Sequence, residues 1–285
     1  MNHLPEHQKG ILAVFIAAIL WSSGGLLIKL VTLTPMQISF FRCSIAALTF
    51  AVIYRKKVLQ YNGLTILNAL FYAGVLILYV LAMKATTAAN AIFLQSTAPI
   101  YVLIFEPLIN KTRYDKANTI TIAVCLIGMI LFFTGKLSPG QLGGNFYGLM
   151  SGILFAAFFI GMKKNDKKYQ PSSIFWGNII VSFICLPFIF EMKELSFSNL
   201  WMVSFLGVFQ IAIAYAFFAY GLKRIFAVEA SIISMVEPVF NPLWVYIGYG
   251  EIPASASIIG GIIIITAVSI RTVQLGRALL GRKFS

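Results

Sequence analysis

Charged residues are scarce in this chain of 285 residues. Lysine, arginine, aspartate and glutamate together make up 11% of it, against about 25% in soluble domains. Only 9 residues are acidic, while 59% of the chain is hydrophobic. This composition excludes an ordinary soluble domain and is typical of a protein that crosses a membrane several times.

Histidine and aspartate are also rare, and their positions argue against an enzyme. His3 and His7 are the only histidines and lie in the N-terminal tail, so a Ser–His dyad or a His-held metal inside the membrane is not available. The two aspartates, Asp115 and Asp166, fall in separate loops, and the chain lacks a G-x-x-x-x-G-K-[ST] motif. The sequence therefore predicts no enzyme, no ATPase, no cofactor and no metal site.

Cysteine is the third scarce residue, and its three copies all lie inside apolar runs. Cys43, Cys125 and Cys185 are therefore predicted to be buried and inert thiols.

Apolar runs of about 20 residues, the length that spans a bilayer, fit the sequence ten times. They lie at 10–31, 35–54, 63–83, 88–109, 117–134, 146–165, 172–190, 199–221, 227–249 and 254–271. The links between them are short, so the fold class predicted is an all-α membrane protein of ten transmembrane helices. The first run is interpreted as a retained helix, because no small-residue cleavage site precedes it.

The basic residues are distributed unevenly between the loops. If the N-terminus is cytoplasmic, 17 of the 22 lysines and arginines lie on the cytoplasmic side and Arg42 lies within a span. The other side has only Lys29, Lys84, Lys136 and Lys193. The positive-inside rule predicts this pattern for ten helices with both termini in the cytoplasm. The net charge of +13 thus comes mainly from lysines and arginines in the loops. It does not predict a basic surface on a folded domain, which binding of nucleic acid would need.

The chain also contains a weak internal repeat. Residues 79–105 can be aligned with residues 218–244 at a constant offset of 139, which pairs Lys84 with Lys223 and Pro99 with Pro238. This alignment predicts two five-helix repeats, 1–139 and 140–285, in a single membrane domain. Because five is odd, the second repeat must be inverted relative to the first, an arrangement found in secondary transporters.

Four stretches carry a family resemblance: LWSSGGLLIKLV (20–31), FFRCSIAALTF (40–50), AMKATTAANAIFLQSTAPIYVLI (82–104) and GLKRIFAVEASIISMVEPVFNPLWVYIGYGE (221–251). With them the chain resembles EamA-type transporters of the drug/metabolite transporter superfamily. The resemblance implies a bacterial cytoplasmic-membrane protein whose central cavity is lined by helices 1, 3, 4, 6, 8 and 9. Its members export amino acids, drugs and other metabolites, or exchange phosphorylated sugars. One departure is Lys111-Thr112, where such proteins often have Gly-Glu.

Glu237 is the strongest candidate for a functional residue. Ser231, Ser234, Glu237 and Asn241 fall on one helix stripe, and Glu237 lies near mid-membrane, where a carboxylate is costly. It either binds an amine of the substrate or carries a coupling proton; the alternative is a structural acid bonded to neighbouring helices. The family resemblance places the stripe on the cavity and favours a function.

Two prolines are predicted to kink their helices. Pro238 leaves the carbonyl of Ser234 without a backbone donor. Its counterpart in the first half, Pro99, follows Ala98, so the acid occurs in one half only.

Further candidates lie on the spans that the family uses for its cavity. They are Gln95, Trp21, Ser22, Tyr79, Phe159 and Tyr215. With Glu237 these side chains would form an aromatic box with an acid, suited to an amphipathic amine or an amino acid. Each aromatic taken alone is equally explained by packing.

Two basic residues have competing interpretations. Lys29 is a candidate outer gate, or a lysine that extends outward to the interface. Arg42 either pairs with Glu237, extends to the outer interface, or holds its helix against a carbonyl.

The sequence thus predicts a secondary transporter that moves a small organic metabolite, such as an amino acid, an amine or a drug-like compound, outward by alternating access. Its partners are that metabolite, the lipid bilayer and, as a candidate coupling ion, the proton; the oligomeric state is left open. The alternatives are an exchanger or importer and, from other classes, a channel or a membrane-embedded enzyme. A channel would conduct without saturating.

Overall fold

The structure, a computed structural model, describes residues 5–110, 116–131, 141–192, 194–222, 224–225, 233–234 and 236–281. Within these ranges every regular element is helical. The α-helices are α1 (Glu6–Ser22), α2 (Gly24–Leu30), α3 (Pro35–Tyr54), α4 (Gly63–Ala85), α5 (Ala88–Gln95), α6 (Ala98–Asn110), α7 (Lys116–Leu131), α8 (Gln141–Lys164), α9 (Gln170–Cys185), α10 (Phe197–Phe205), α11 (Ala214–Leu222), α12 (Val236–Tyr249) and α13 (Ser255–Gly281). A π-helical segment, Leu206–Ile213, joins α10 to α11.

Seven helical segments of the described chain are long and apolar enough to cross a membrane. They are Glu6–Leu30, Pro35–Leu59, Gly63–Ala85, Ala88–Phe105, Gln141–Met162, Lys167–Ile189 and Phe197–Gly221. Two shorter apolar helices, Thr119–Gly128 and Ser255–Arg271, lie within the fifth and tenth predicted spans. The predicted fold class, an all-α membrane protein, is confirmed. The number ten stays a prediction, because part of the ninth span lies outside the described residues.

Polar contacts between helices show which helix termini lie at the same end of the bundle. At the end that carries most of the basic residues, called the basic end, they join Glu6 to Arg224, Asn62 to Asn165 and Ser172 to Lys57. At the opposite end they join Thr32 to Asn199, Thr86 to Asn145 and Lys29 to Glu251. Helix α1 starts at the basic end and α8 starts at the opposite end. The two halves of the chain are therefore inverted with respect to each other, as predicted.

Two predicted spans are not continuous helices. The span 10–31 is interrupted at Ser23, where the hydroxyls of Ser22 and Ser23 donate to the carbonyls of Ile19 and Leu20 at 2.8 and 2.6 Å. Such back-bonding by serine bends helices, and the glycines that follow weaken the helix further.

The span 88–109 is likewise interrupted, at residues 96–97 between α5 and α6. Pro99, which has no N–H to donate, follows directly in the first turn of α6. Pro99 was a predicted kink position, whereas the interruption at Ser23 was not predicted, because apolar length carries no signal for it.

Helix α4 is the central element of the fold, and its main partner is α8. Small residues allow the approach: a methyl group at Gly161 would lie 1.8 Å from Asn68 Oδ1, and one at Gly144 would lie 2.6 Å from the backbone of Ala85. Side-chain hydrogen bonds fasten the pair at both ends. Asn62 donates to Asn165 at 3.0 Å at the basic end.

At the opposite end of this pair, Asn145 is fully buried and its Oδ1 accepts hydrogen bonds from Thr86 at 2.7 Å and Asn90 at 2.9 Å. Replacing Asn145 by alanine would leave both donors buried without this acceptor. We expect the free energy of unfolding to fall by about 1–3 kcal/mol. Thermal unfolding in detergent measures it, with Gln60→Ala, at an exposed position, as the control. An unchanged midpoint would contradict the role given to this network.

The three cysteines are free and buried, as predicted.

Candidate substrate site

The candidate site lies at half depth in the bundle, where the break between α1 and α2 faces α4, α11 and α12. Glu237 is twelve residues before the end of α12 at Tyr249, hence about 18 Å from the opposite end at 1.5 Å per residue. The midplane of a hydrocarbon core of about 30 Å lies at a similar depth. This depth predicts that the carboxyl group of Glu237 lies near the middle of the membrane.

Asn241, one turn after Glu237, forms the best-defined contact of the site. It is fully buried, and its Nδ2 donates a hydrogen bond to the hydroxyl of Tyr79 at 3.0 Å. Its Oδ1 has no hydrogen-bond partner among the described residues. A methyl group at Gly25 would lie 2.0 Å from that oxygen, so only glycine fits there. The predicted residues Asn241 and Tyr79 are thus brought together.

An aromatic wall adjoins this contact. The rings of Trp21 and Tyr215 meet edge-on at 5.2 Å, and Trp21 packs on Phe218 at 5.1 Å. Tyr215 in turn meets Tyr72 edge-on at 5.7 Å. The predicted residues Trp21 and Tyr215 therefore share one wall, which α1, α4 and α11 build together.

Ser22 contacts Trp244, which was not among the predicted site residues. The indole Nε1 of Trp244 donates to the hydroxyl of Ser22 at 3.0 Å, which ties α12 to the break after α1. Trp244 lies seven residues after Glu237, on the same helix stripe, so the spacing i, i+4, i+7 with Asn241 could have identified it.

Glu237 itself is half-buried, and its carboxylate makes no hydrogen bond or ion pair with any residue in the described ranges. It interacts electrostatically with Tyr79 and Tyr215. A carboxyl group at this depth that has no partner in the described part of the chain is available for a ligand or a proton. The interpretation of Glu237 as a structural acid bonded to neighbouring helices has no support in these contacts.

Several predicted site residues lie elsewhere. The Nε2 of Gln95 donates to Ser151 at 2.8 Å, between α5 and α8, so this amide is already used in packing. Phe159 packs on Phe155 at 4.5 Å and is 43% exposed. Ser234 is half-buried and has an interaction partner, while Ser231 lies outside the described residues. The binding roles of Gln95, Phe159 and Ser234 stay predictions.

The structure describes the chain on both sides of Pro99, but only the chain after residue 235 at Pro238. Pro99 follows the interruption between α5 and α6. Pro238 lies in the first described turn of α12, and a further proline, Pro242, lies inside that helix. Since residue 235 is outside the described part, the kink at Pro238 stays a prediction.

Arg42 is fully buried, with 1% of its surface exposed. Its Nη2 donates to the carbonyl of Leu76 at 3.4 Å, which agrees with the interpretation of an arginine held against a carbonyl. The interpretation that it extends to the interface was wrong, because α3 packs between α4, α9 and the π-helical segment and leaves the side chain no route outward. It forms no ion pair with Glu237, a described residue like itself.

The π-helical segment was not predicted either. It contains Gln210, which is 8% exposed and whose Oε1 has no hydrogen-bond partner in the described chain. A methyl group at Gly24 would lie 2.9 Å from the Nε2 of this glutamine. The segment thus faces the interruption between α1 and α2, and π-helical turns occur frequently at functional sites.

At the opposite end of the bundle, Lys29 contacts two oxygen atoms. Its Nζ lies 2.6 Å from Glu251 Oε2 and donates to the carbonyl of Thr86 at 2.8 Å. The other carboxylate oxygen of Glu251 accepts from the backbone N–H of Ala88 at 2.6 Å. Gly250, with φ +77°, supplies the left-handed turn after α12 that positions Glu251. The ion pair therefore links α2, α4 and α5 to the loop after α12.

Comparison with known proteins places these features in a family. The model of the EamA-like transporter family matches residues 8–134 and again residues 142–272. An uncharacterized transporter of Archaeoglobus fulgidus is 28% identical over 211 residues, which are 73% of this chain and 74% of that protein. The uncharacterized transporter YdfC of Bacillus subtilis is 27% identical over 270 residues, 87% of this chain and 86% of that protein.

A solved crystal structure that is 15% identical superposes with a TM-score of 0.64, over 95% of this chain and 99% of its own, and so has the same fold. Because one family model matches both halves, the chain contains an internal repeat. The division at residues 139 and 140 lies outside the described residues and stays a prediction. The chain is a multi-pass membrane transporter and belongs to the EamA-like transporter family, within the drug/metabolite transporter superfamily.

Proposed function

We propose that this chain is a secondary transporter that exports a small organic metabolite, an amino acid, amine or drug-like compound, across the bacterial cytoplasmic membrane. The observation that carries the proposal is the half-buried carboxyl group of Glu237, which has no partner among the described residues although it lies at mid-membrane. A charged carboxylate at that depth costs at least about 2.5 kcal/mol, so its presence indicates a role in binding.

The chemistry around Glu237 favours an organic cation over an inorganic one. Trp21, Tyr79 and Tyr215 present aromatic surfaces and a single hydroxyl–amide contact, whereas a hard metal cation prefers several oxygen ligands. A protonated amine would pair with the carboxylate and stack against the rings. When the site is empty, the same carboxyl can hold a proton, which makes proton exchange for substrate the simplest form of coupling.

Alternating access requires a closure on each side of the site. The Lys29–Glu251 ion pair is the proposed outer closure, because its side chains are only 9% and 17% exposed and it joins both halves of the chain. On the positive-inside rule the basic end, where α1 starts, faces the cytoplasm. Opening to the outside then requires this pair to separate from Thr86 and Ala88.

Replacing Glu251 by glutamine removes the ion pair while keeping the size of the side chain. Destabilising the closed state by about 1 kcal/mol relative to the open state would raise the fraction of molecules open to the outside about fivefold. A cysteine introduced at Ser23, a half-buried residue next to the site, reports this as faster labelling by a membrane-impermeant maleimide added outside, since the native thiols are buried. The control is Glu194→Gln, at an exposed acid. An unchanged labelling rate would contradict the gate.

Counterflow in proteoliposomes tests the proposed function as a whole. Vesicles loaded with a high concentration of an unlabelled candidate should accumulate the labelled compound transiently, and the uptake should saturate. Amino acids, amines and drug-like compounds form the panel. Flux that rises linearly with concentration and shows no counterflow would indicate a channel and overturn the carrier.

A further inference from the structure

Arg42 is a buried cation with unused hydrogen-bond donors. Only 1% of the residue is exposed, and the hydrogen bond from its Nη2 to the carbonyl of Leu76 is long at 3.4 Å. The guanidinium also interacts with the thiol of Cys43, the next residue in the chain. Its Nε and Nη1 are buried and have no partner within the described ranges. Arginine stays protonated in proteins, so it cannot avoid the cost of burial by losing its charge. A permanent charge of this kind requires a counter-charge.

The guanidinium lies beside the site built around Glu237. It interacts electrostatically with Tyr79 and Tyr215, the two rings that also interact with Glu237, and with Tyr72. Acid and base therefore approach the same pair of tyrosines without forming an ion pair with each other. The two tyrosines therefore interact with groups of opposite charge.

The backbone on the far side of Arg42 also fits tightly. A methyl group at Gly207, in the π-helical segment, would lie 2.7 Å from the carbonyl oxygen of Arg42. On the same segment, the side chain of Gln210 is 8% exposed and has an Oε1 without a partner in the described residues. The main chain of Arg42 is thus closely packed, while the Nε and Nη1 of its side chain have no partner among the described residues.

We propose that Arg42 is a carboxylate-binding subsite of the candidate site around Glu237, so that the transported compound is a zwitterion with both an amine and a carboxylate. This inference rests on the proposed function and extends it: Glu237 binds the amine, and the Nε and Nη1 of Arg42 donate to the carboxylate.

The charge balance distinguishes a zwitterion from other substrates. A zwitterion neutralises Glu237 and Arg42 together, and the filled cavity carries no net charge. A simple amine would leave Arg42 without a counter-charge. A simple carboxylate would leave Glu237 without one. A phosphate dianion would bring excess negative charge close to Glu237. Only a compound with one group of each sign removes both costs of burial.

Matched ligands test the subsite in the wild-type protein. The 20 proteinogenic amino acids are first screened by thermal shift, and Kd is then measured for the best one, for its amide and for its decarboxylated amine. L-Phenylalanine, L-phenylalaninamide and phenethylamine are one such set. We expect the amide and the amine to bind about tenfold or more weakly, the effect of losing charged hydrogen bonds. Equal affinities for the three compounds, or no stabilisation by any amino acid, would overturn the subsite.

Variants then show whether Arg42 is the residue responsible. Arg42→Lys replaces the planar guanidinium by a single ammonium, which offers a different donor geometry and can lose its proton when buried. Arg42→Gln removes the charge. Affinity for the amino acid should fall in both variants, more in Arg42→Gln, while affinity for the decarboxylated amine stays the same. An undiminished preference for the amino acid in Arg42→Lys and Arg42→Gln would assign the carboxylate to another residue and overturn the proposal.

The outcomes separate this inference from the proposed function. Saturable counterflow of amines, with no preference for amino acids, would support the proposed carrier function and contradict only the carboxylate subsite at Arg42. Absence of counterflow for every compound, together with tight binding of amino acids that depends on Arg42, would remove the carrier and keep the subsite.

Discussion

Replacing Glu237 by glutamine is expected to lower saturable counterflow to the level of empty vesicles. Glutamine has the same shape but can neither neutralise an amine nor carry a proton at mid-membrane. A charged hydrogen bond contributes about 1.5–3 kcal/mol to binding, and its loss alone lowers affinity by about tenfold to 150-fold. Loss of the charge also removes the coupling ion if that ion is a proton, so we expect a loss larger than this range.

The same substitution should not harm folding. Because Glu237 has no partner among the described residues, its replacement breaks no hydrogen bond or ion pair in that part of the chain and removes a costly buried acid. We expect the thermal midpoint in detergent to be unchanged or raised, a trade-off typical of functional sites. The exposed acid Glu194 supplies the matched control, Glu194→Gln, which should transport normally. Wild-type counterflow by Glu237→Gln, or a large drop in its midpoint, would make Glu237 a structural residue.

Replacing Gly25 by alanine is expected to abolish transport almost as completely. The added methyl would lie 2.0 Å from Asn241 Oδ1 and 2.8 Å from the terminal methyl of Met83, so α2 and α12 must separate or Asn241 must turn. Asn241 is fully buried and bonded to Tyr79, which leaves it no free space. Overpacking of this kind costs about 1–3 kcal/mol, more than the gain of up to about 1 kcal/mol from helix propensity.

The control for Gly25 is the same substitution at Gly143, where an added methyl would meet no atom within 4 Å. Gly143→Ala should keep both flux and stability, since Gly143 lies in the first turn of α8 at an exposed position. The measurements are counterflow and thermal unfolding of the two variants side by side. Equal flux in Gly25→Ala and Gly143→Ala would show that the close approach of α2 to Asn241 is not required.

Much of the fold follows from the sequence because its determinants are local. Apolar length predicted the helices, charge in the loops predicted their alternation, and the repeat predicted two inverted halves. What length could not predict is where a helix breaks. Ser22 and Ser23 redirect hydrogen bonds to their own backbone, and the π-helical segment Leu206–Ile213 has no equally simple signal. Both lie in runs that are uniformly apolar around them.

The candidate site could be predicted only in part, for a similar reason. Helix periodicity groups residues of one helix, so Glu237 and Asn241 were identified together, and Trp244 was within reach of the same argument. Contacts between helices depend on rotation about each axis, which an apolar sequence does not fix. Of the predicted residues, Tyr79 bonds to Asn241, whereas Gln95 bonds to Ser151 instead.

The partner of Lys29 shows what a sequence signal can miss. Lys29 was singled out because it breaks the positive-inside pattern, and Glu251 because it closes the motif that resembles the family. Nothing in the sequence connects the two, which are 222 positions apart. Their ion pair arises because the inverted repeat brings the loop after α12 over the end of α2.

The asparagine contacts at both ends of α4 and α8 constrain how the molecule can move. A pair of helices joined at one end only can open like scissors, whereas α4 and α8 are fixed at Asn62–Asn165 and again at Thr86–Asn145. The pair must then travel as one rigid body. Any rocking motion has to be taken up at the other boundary of this body, where Tyr79 meets Asn241 and Lys29 meets Glu251. The axis of that rocking would run along the layer of the bundle that holds Glu237.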